Sequence, residues 1–225
     1  MRTVRSFVLR QGRLTPGQQR AIDVFSAQWL LAPAPEAQFN FLTIFGNDHP
    51  VIIEIGFGDG QCLLQMAQAM PENNFIGIEV HRPGVGRLLQ GIEDKQLTNV
   101  RAVNADAVEI LTHHIADASL TGLHIFFSDP WHKKRHHKRR LIQAGFVRLL
   151  TQKLKSDGMI HLATDWQNYA EQMLEVLSEN TALANQSSAA DGFYHQPTLR
   201  PRTKFEERGV KLGHGVWDLI FKRLS

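Results

Sequence analysis

Apolar positions in this chain follow two rhythms. Short continuous runs read as strands buried on both faces: VIIEI (51–55), FIGIEV (75–80), NVRAVNAD (99–106), LHIFFSDP (123–130) and MIHLATD (159–165). Between and after them, apolar residues recur at helical spacing over 61–70, 84–93, 107–114, 138–155 and 166–180. Strands alternating with helices predict βαβ units and a parallel sheet, an α/β fold. The last run, VWDLIFKRL (216–224), has no helix after it and is expected to pair antiparallel, at or near a sheet edge. Residues 181–198 read as a polar loop. Ahead of the alternation, Thr15 and Pro16 open a helix that reaches about Leu31 and is ended by Pro33 and Pro35. Residues 36–50 read as irregular. The chain thus divides into a basic N-terminal arm with one helix (1–50) and an α/β domain (51–225).

Composition narrows the class. With 225 residues and 43 % apolar content, the chain is expected to bury one substantial core. No stretch approaches the roughly 18 apolar residues of a membrane span. The start, MRTVRSFVLRQGR, is basic but lacks the apolar segment of a secretory signal. The single cysteine, Cys62, excludes an intrachain disulfide and a cysteine-based zinc site. A cytoplasmic location is the simplest expectation.

Charge adds a partner class. Residues 131–140 (WHKKRHHKRR) hold six Lys/Arg and residues 1–22 five, with no acid in either stretch; the rest holds 14 bases against 22 acids. A local basic patch on an acidic body points to a polyanion.

Each of the five parallel strands carries an acid at or near its end: Glu54, Glu79, Asp106, Asp129 and Asp165. The carboxyl ends of such strands form the ligand crevice of an open α/β sheet. Asp106 and Asp165 are also placed to cap the helices that follow. After the first strand comes Gly56-Phe57-Gly58-Asp59-Gly60, whose glycines permit a tight turn and close approach to a ligand. A dinucleotide fingerprint would need glycine at Gln61, which disfavours a nicotinamide enzyme. The spacing is E-x-G-x-G-x-G. Glu54 would meet a cationic or amine-bearing group, Glu79 two ribose hydroxyls and Asp106 an adenine amino group. S-adenosylmethionine carries all three features.

The fourth strand runs into Ser128-Asp129-Pro130-Trp131 and the basic run. Proline fixes the exit from the sheet, tryptophan offers a stacking face and the cations offer phosphate contacts.

The blocks EIGFGDG, FIGIEVHRPGVG, FFSDPWHKKRHHKRR, HLATDW and RPRTKFEERGVKLGHGVWDLIF together resemble the bacterial tRNA (guanine-N7-)-methyltransferases. The opening VRSFVLRQGRLTPGQ resembles that family too. The likeness covers nearly the whole chain and is weakest at 32–50 and 180–197. It implies a Rossmann-like S-adenosylmethionine-dependent methyltransferase fold, a mostly parallel sheet of seven strands with an antiparallel C-terminal strand. It implies methyl transfer to N7 of a guanine in the tRNA variable loop. By the family's motifs, Glu54, Glu79, Asp106 and Asp129 lie on the cofactor side with the glycine loop, and Asp129 is also catalytic. Lys133, Asp165, Thr203, Lys204, Phe205 and Glu206 lie on the substrate side. Arg135, His136, His137, Lys138, Arg139 and Arg140 meet RNA. Two departures stand out: Ser128 replaces a common proline, and Ser156-Asp157 replace a common glycine pair.

The histidine pairs His132/His136 and His113/His114 lack acidic partners at ligand spacing, so no metal is expected. Partly protonated histidines on an RNA face fit better. No membrane or obligate protein partner is called for. A competing class is an RNA-binding protein on the same fold without activity; methyl turnover separates the two.

Overall fold

The computed structural model describes residues 12–35, 37–195, 200, 201, 206 and 215–225. Its strands are β1 (Val51–Ile55), β2 (Asn74–Ile78), β3 (Val100–Val103), β4 (Leu120–Phe126), β5 (Leu154–Thr164), β6 (Leu183–Asn185) and β7 (Trp217–Arg223). Its α-helices are α1 (Pro16–Trp29), α2 (Phe41–Phe45), α3 (Gln61–Ala69), α4 (Arg82–Asp94), α5 (Ala107–His113), α6 (Ala144–Lys153) and α7 (Gln167–Ser178).

One seven-stranded sheet runs in the order β3-β2-β1-β4-β5-β7-β6. β1 to β5 pair in parallel, and β7 pairs antiparallel with both β5 and β6. Strand order reverses between β1 and β4, which opens a crevice at their carboxyl ends.

Residues in β1 alternate between two cores. Val51, Ile53 and Ile55 join Ile110 of α5, Val147 of α6 and Tyr169 of α7. Ile52 joins Leu63 of α3, Leu88 of α4 and Ile22 of α1. Helices on both faces explain why the central strands read as unbroken apolar runs.

The helix at Thr15 forms as its capping residues dictate. Thr15 accepts from the Gln18 amide at 3.3 Å, and Gln18 Oε1 accepts from the Thr15 amide at 2.9 Å. The helix does not stand apart: the Leu31 amide donates to Ala102 at 2.8 Å and the Phe39 amide to His114 at 2.8 Å. The boundary at residue 50 is one of composition, and the described part of 1–50 packs on the sheet. Within it, α2 replaces part of the expected irregular stretch; Asn40 caps it, accepting from the Thr43 amide at 3.0 Å. In the expected loop after α7, β6 adds a short edge strand.

The reading of one long helix over 138–155 is corrected. Lys134–Arg139 form a 3-10 turn, α6 spans only Ala144–Lys153, and β5 starts at Leu154. Lysine and arginine favour helix, so sequence alone shows no stop. The stop is tertiary and comes from Arg140. Its side chain turns inward, donating to Pro130 O at 2.8 Å, Gln172 Oε1 at 2.6 Å and Asn168 Oδ1 at 2.9 Å. Its guanidinium lies 4.8 Å from the Tyr169 ring centre.

Candidate active site

The glycine loop leaves β1 in left-handed conformations at Gly56, Gly58 and Gly60 (φ 74°, 60° and 76°). Two glycines are dictated by packing. A Cβ on Gly60 would lie 2.8 Å from Leu88, and one on Gly84, at the start of α4, 2.0 Å from the Gly58 carbonyl oxygen. At Gly56 and Gly58 a Cβ would meet nothing within 4 Å, so the loop presents bare backbone there.

Two carboxylates frame this loop. Glu79 holds it shut: one oxygen accepts from the Gly58 amide at 3.0 Å, the other from Val80 and His81 at 2.7 and 2.9 Å. Glu54 lies within β1, directly beside Gly77 of β2 and His124 of β4. It is 3 % exposed, and among the described residues its Oε2 has no hydrogen-bond partner. Burial, then Asp59 and Glu79, push its carboxyl up to about 8. A buried carboxyl group with an idle oxygen beside a bare glycine loop fits the cationic amine of S-adenosylmethionine. Asp106 N-caps α5, accepting from the Val108 amide at 2.9 Å, so its helix-capping alternative is realised.

Beyond β4 the chain turns sharply. Phe127 and Trp131 have φ of 55° and 48°. The Phe127 amide donates to Ala163 O at 2.8 Å. Ser128 Oγ reaches the Tyr169 hydroxyl at 3.4 Å, and that hydroxyl accepts from the Ile142 amide at 3.1 Å. The serine that departs from the family pattern thus ties the turn to α7. Asp129 follows and is exposed.

Lys133, Arg135 and Lys138 are exposed, and His136, His137 and Arg139 half-buried. Arg139 lies 5.1 Å from the Trp131 ring centre, on a face expected to be open for a base. Desolvation and then Arg135, Arg139, Lys133 and Lys138 hold His136 below the usual imidazole range, against the expected protonation. Arg140 is the clear correction. It is 2 % exposed and bound to backbone and α7, so it anchors the basic segment from beneath and is not presented at the surface as the RNA-contact reading expects.

Asp165 and Trp166 follow β5 and line a cavity of 620 Å³ with Gln167, Asn168, Glu171, Gly215 and Trp217. Trp166 also packs edge-on against His132, ring centres 4.1 Å apart, which joins this cavity to the basic segment. Thr203, Lys204 and Phe205 lie outside the described residues. Glu206 is described, and it is corrected: it is 5 % exposed and accepts from Arg200 at 2.5 Å, so its carboxylate turns inward instead of toward a substrate.

Sequence reading missed Arg200. Its guanidinium donates to both oxygens of Asp218 (2.7 and 2.8 Å), and Asp218 also contacts His161 Nε2 at 2.8 Å. The available signal was charged or polar residues inside apolar strand runs, HLAT and VWDLIF. Among the described residues, no group of three or more His, Cys, Asp or Glu could hold a metal ion, and no helix is long and apolar enough to cross a membrane.

The chain is similar to known proteins over nearly its full length. Residues 48–219 match the family described as "Putative methyltransferase". The tRNA (guanine-N(7)-)-methyltransferase of Chromobacterium violaceum is 55 % identical over 99 % of this chain and 96 % of its own. That of Pseudomonas aeruginosa is 54 % identical over 100 % and 91 %. Among solved structures, the 16S rRNA methyltransferase KamB superposes with a TM-score of 0.59 at 12 % identity, covering 82 % of this chain and 93 % of its own, which shows the fold alone. At this identity over nearly the full length, the chain belongs to the tRNA (guanine-N(7)-)-methyltransferase family.

Proposed function

We propose that this chain transfers a methyl group from S-adenosylmethionine to N7 of a guanine in the variable loop of tRNA. The supporting observation is the placement of Glu54 and Glu79 at β1 and β2, with Asp129 just past β4, around the point where strand order reverses. When bound, S-adenosylmethionine supplies an electrophilic methyl on a sulfonium. The chain's residues do the rest. Glu54 would hold the amine and Glu79 the ribose hydroxyls, with Asp106 on the adenine side.

Guanine N7 has an in-plane lone pair and no proton, so no general base is required. Alignment of the nucleophile with the methyl group dominates. The ring gains positive charge, and Asp129 stabilises that charge as it develops. Asp165 accepts from the guanine N1–H and amino group, an edge that adenine lacks. Lys133 holds a phosphate, and Thr203, Lys204 and Phe205 complete the substrate side. Incubation with methyl-labelled S-adenosylmethionine and unmodified tRNA, followed by digestion, tests the reading. Label in 7-methylguanosine supports it; label in another nucleoside, or none, refutes it.

The basic segment divides into outward and inward cations. Arg135→Ala with Lys138→Ala is expected to weaken tRNA binding and leave thermal stability unchanged. The slope of log K against log[salt] flattens by about 0.7–0.9 per lost phosphate contact. Arg140→Ala does the reverse first. It leaves half-buried acceptors on Pro130 and Gln172 without their donor, together worth roughly 1–3 kcal/mol, and lowers Tm by about 2–4 °C per kcal/mol. Binding titrations at several salt concentrations, paired with melting curves, check both. An unchanged Tm in Arg140→Ala would contradict its anchoring role.

A further inference from the structure

Arg200 is fully buried at its side chain, yet it is charged and makes ion pairs with two acids. Buried ion clusters are a poor source of stability, since apolar replacements often serve as well. This one therefore calls for another role, and its position supplies one. The guanidinium plane is fixed by Asp218 of β7 on one side and Glu206 on the other. Held there, it lies 5.4 Å from the ring centres of both Phe126 and Phe127. That distance is within cation–π range.

Phe127 is the residue that needs holding. A bulky aromatic at φ 55° is an outlier, and such a conformation persists only where its surroundings over-determine it. Ala163 fixes the Phe127 backbone through the amide; Arg200 fixes the ring. Two residues later comes Asp129. We infer that Arg200 is a positioning residue for methyl transfer: clamped by Asp218 and Glu206, it locks the left-handed turn at Phe127 from which Asp129 is aimed. This rests on the reading of Asp129 as the charge-stabilising carboxylate. Lysine cannot replace arginine here, because it lacks the planar fork that engages Asp218 through two nitrogens and stacks on a ring.

The test is a double-mutant cycle. Arg200→Lys is expected to lower kcat by about 10–100-fold, as a misplacement near 1 Å does. KM for tRNA and Kd for S-adenosylmethionine stay within about twofold. Asp218→Asn, which loosens the clamp from its other side, shows the same split and carries the test if Arg200→Lys does not fold. Phe127→Gly adopts positive φ without strain and has no ring to lock. In that background, either clamp variant is expected to cost less than about threefold more. An equal loss of kcat in both backgrounds would overturn the inference, as would a loss confined to Tm or to KM. Asp129→Ala in the same assay separates the two levels. If it stays active, the underlying reading fails; if it is inactive while the clamp variants keep full kcat, only the role of Arg200 fails.

Discussion

Asp129→Ala is expected to leave a folded protein that still binds tRNA and transfers methyl groups at least 100- to 1,000-fold more slowly. The size follows from what a pre-placed charge does for a charge that develops in the transition state, about 10²–10³ in kcat for one such group. The pattern follows from the structure. Asp129 is exposed and sits beyond the last residue of β4, so its removal opens no cavity in either core. The segment's shape is held elsewhere, by Ser128 on Tyr169, Phe127 on Ala163 and Arg140 on Pro130. Single-turnover measurements at saturating tRNA isolate the chemical step from binding. Asp129→Asn keeps shape without charge and is expected to fall between wild type and alanine. Lost tRNA binding with normal turnover at high tRNA would refute the assignment and make Asp129 a docking residue.

The same segment shows where sequence reading succeeds and stops. The strands β1 to β5 were legible because a parallel strand covered on both faces leaves few polar positions. Glu54 stood out for that reason: it is an acid within VIIEI, followed by glycines. What escaped was set by contacts distant in sequence. The end of the basic 3-10 turn depends on Arg140 meeting Asn168 and Gln172, some thirty positions on. The start of β5 was hidden because Asp157 occupies a left-handed turn, φ 63°, where a glycine would have announced it. The three residues of β6 carry too little pattern to be seen. Glu206 was placed on the substrate side by the family likeness, and nothing in the sequence marks Arg200 as the cation it turns in to meet. Direction in a side chain is a tertiary property, and charge alone does not reveal it.

Glu54→Gln is expected to make the ligand-free protein more stable while costing it about 10–100-fold in affinity for S-adenosylmethionine, as loss of a hydrogen bond to a charged group does. Burial chiefly pushes this carboxyl group up to about 8 in the fold, from an ordinary 4.5. Between those values the native chain keeps a proton that the unfolded chain has released. Stability of the wild type therefore falls as pH rises through this window. By pH 7 the deficit is about 3 kcal/mol, at 1.36 kcal/mol per pKa unit. Glutamine has the shape of the protonated acid and no such deficit. About 2.5 kcal/mol of this develops between pH 5 and pH 7, so the Tm difference between variant and wild type should widen by about 5–10 °C over that range, at 2–4 °C per kcal/mol for a chain of this size. The ligand works against the same proton. A cationic amine beside Glu54 favours the carboxylate, so binding to the wild type releases a proton and strengthens as pH rises from 5 to 7. Above that, the amine's own titration near 7.7–8 intervenes. In Glu54→Gln the pH dependence of binding flattens. Melting curves without ligand and titrations with it, both at pH 5, 6 and 7, measure the two effects independently. A Tm difference that stays constant over this range would show that Glu54 is not held protonated. A pH-dependent affinity surviving in Glu54→Gln would place the amine at another carboxylate, with Asp59 and Glu79 the nearest candidates by their effect on Glu54.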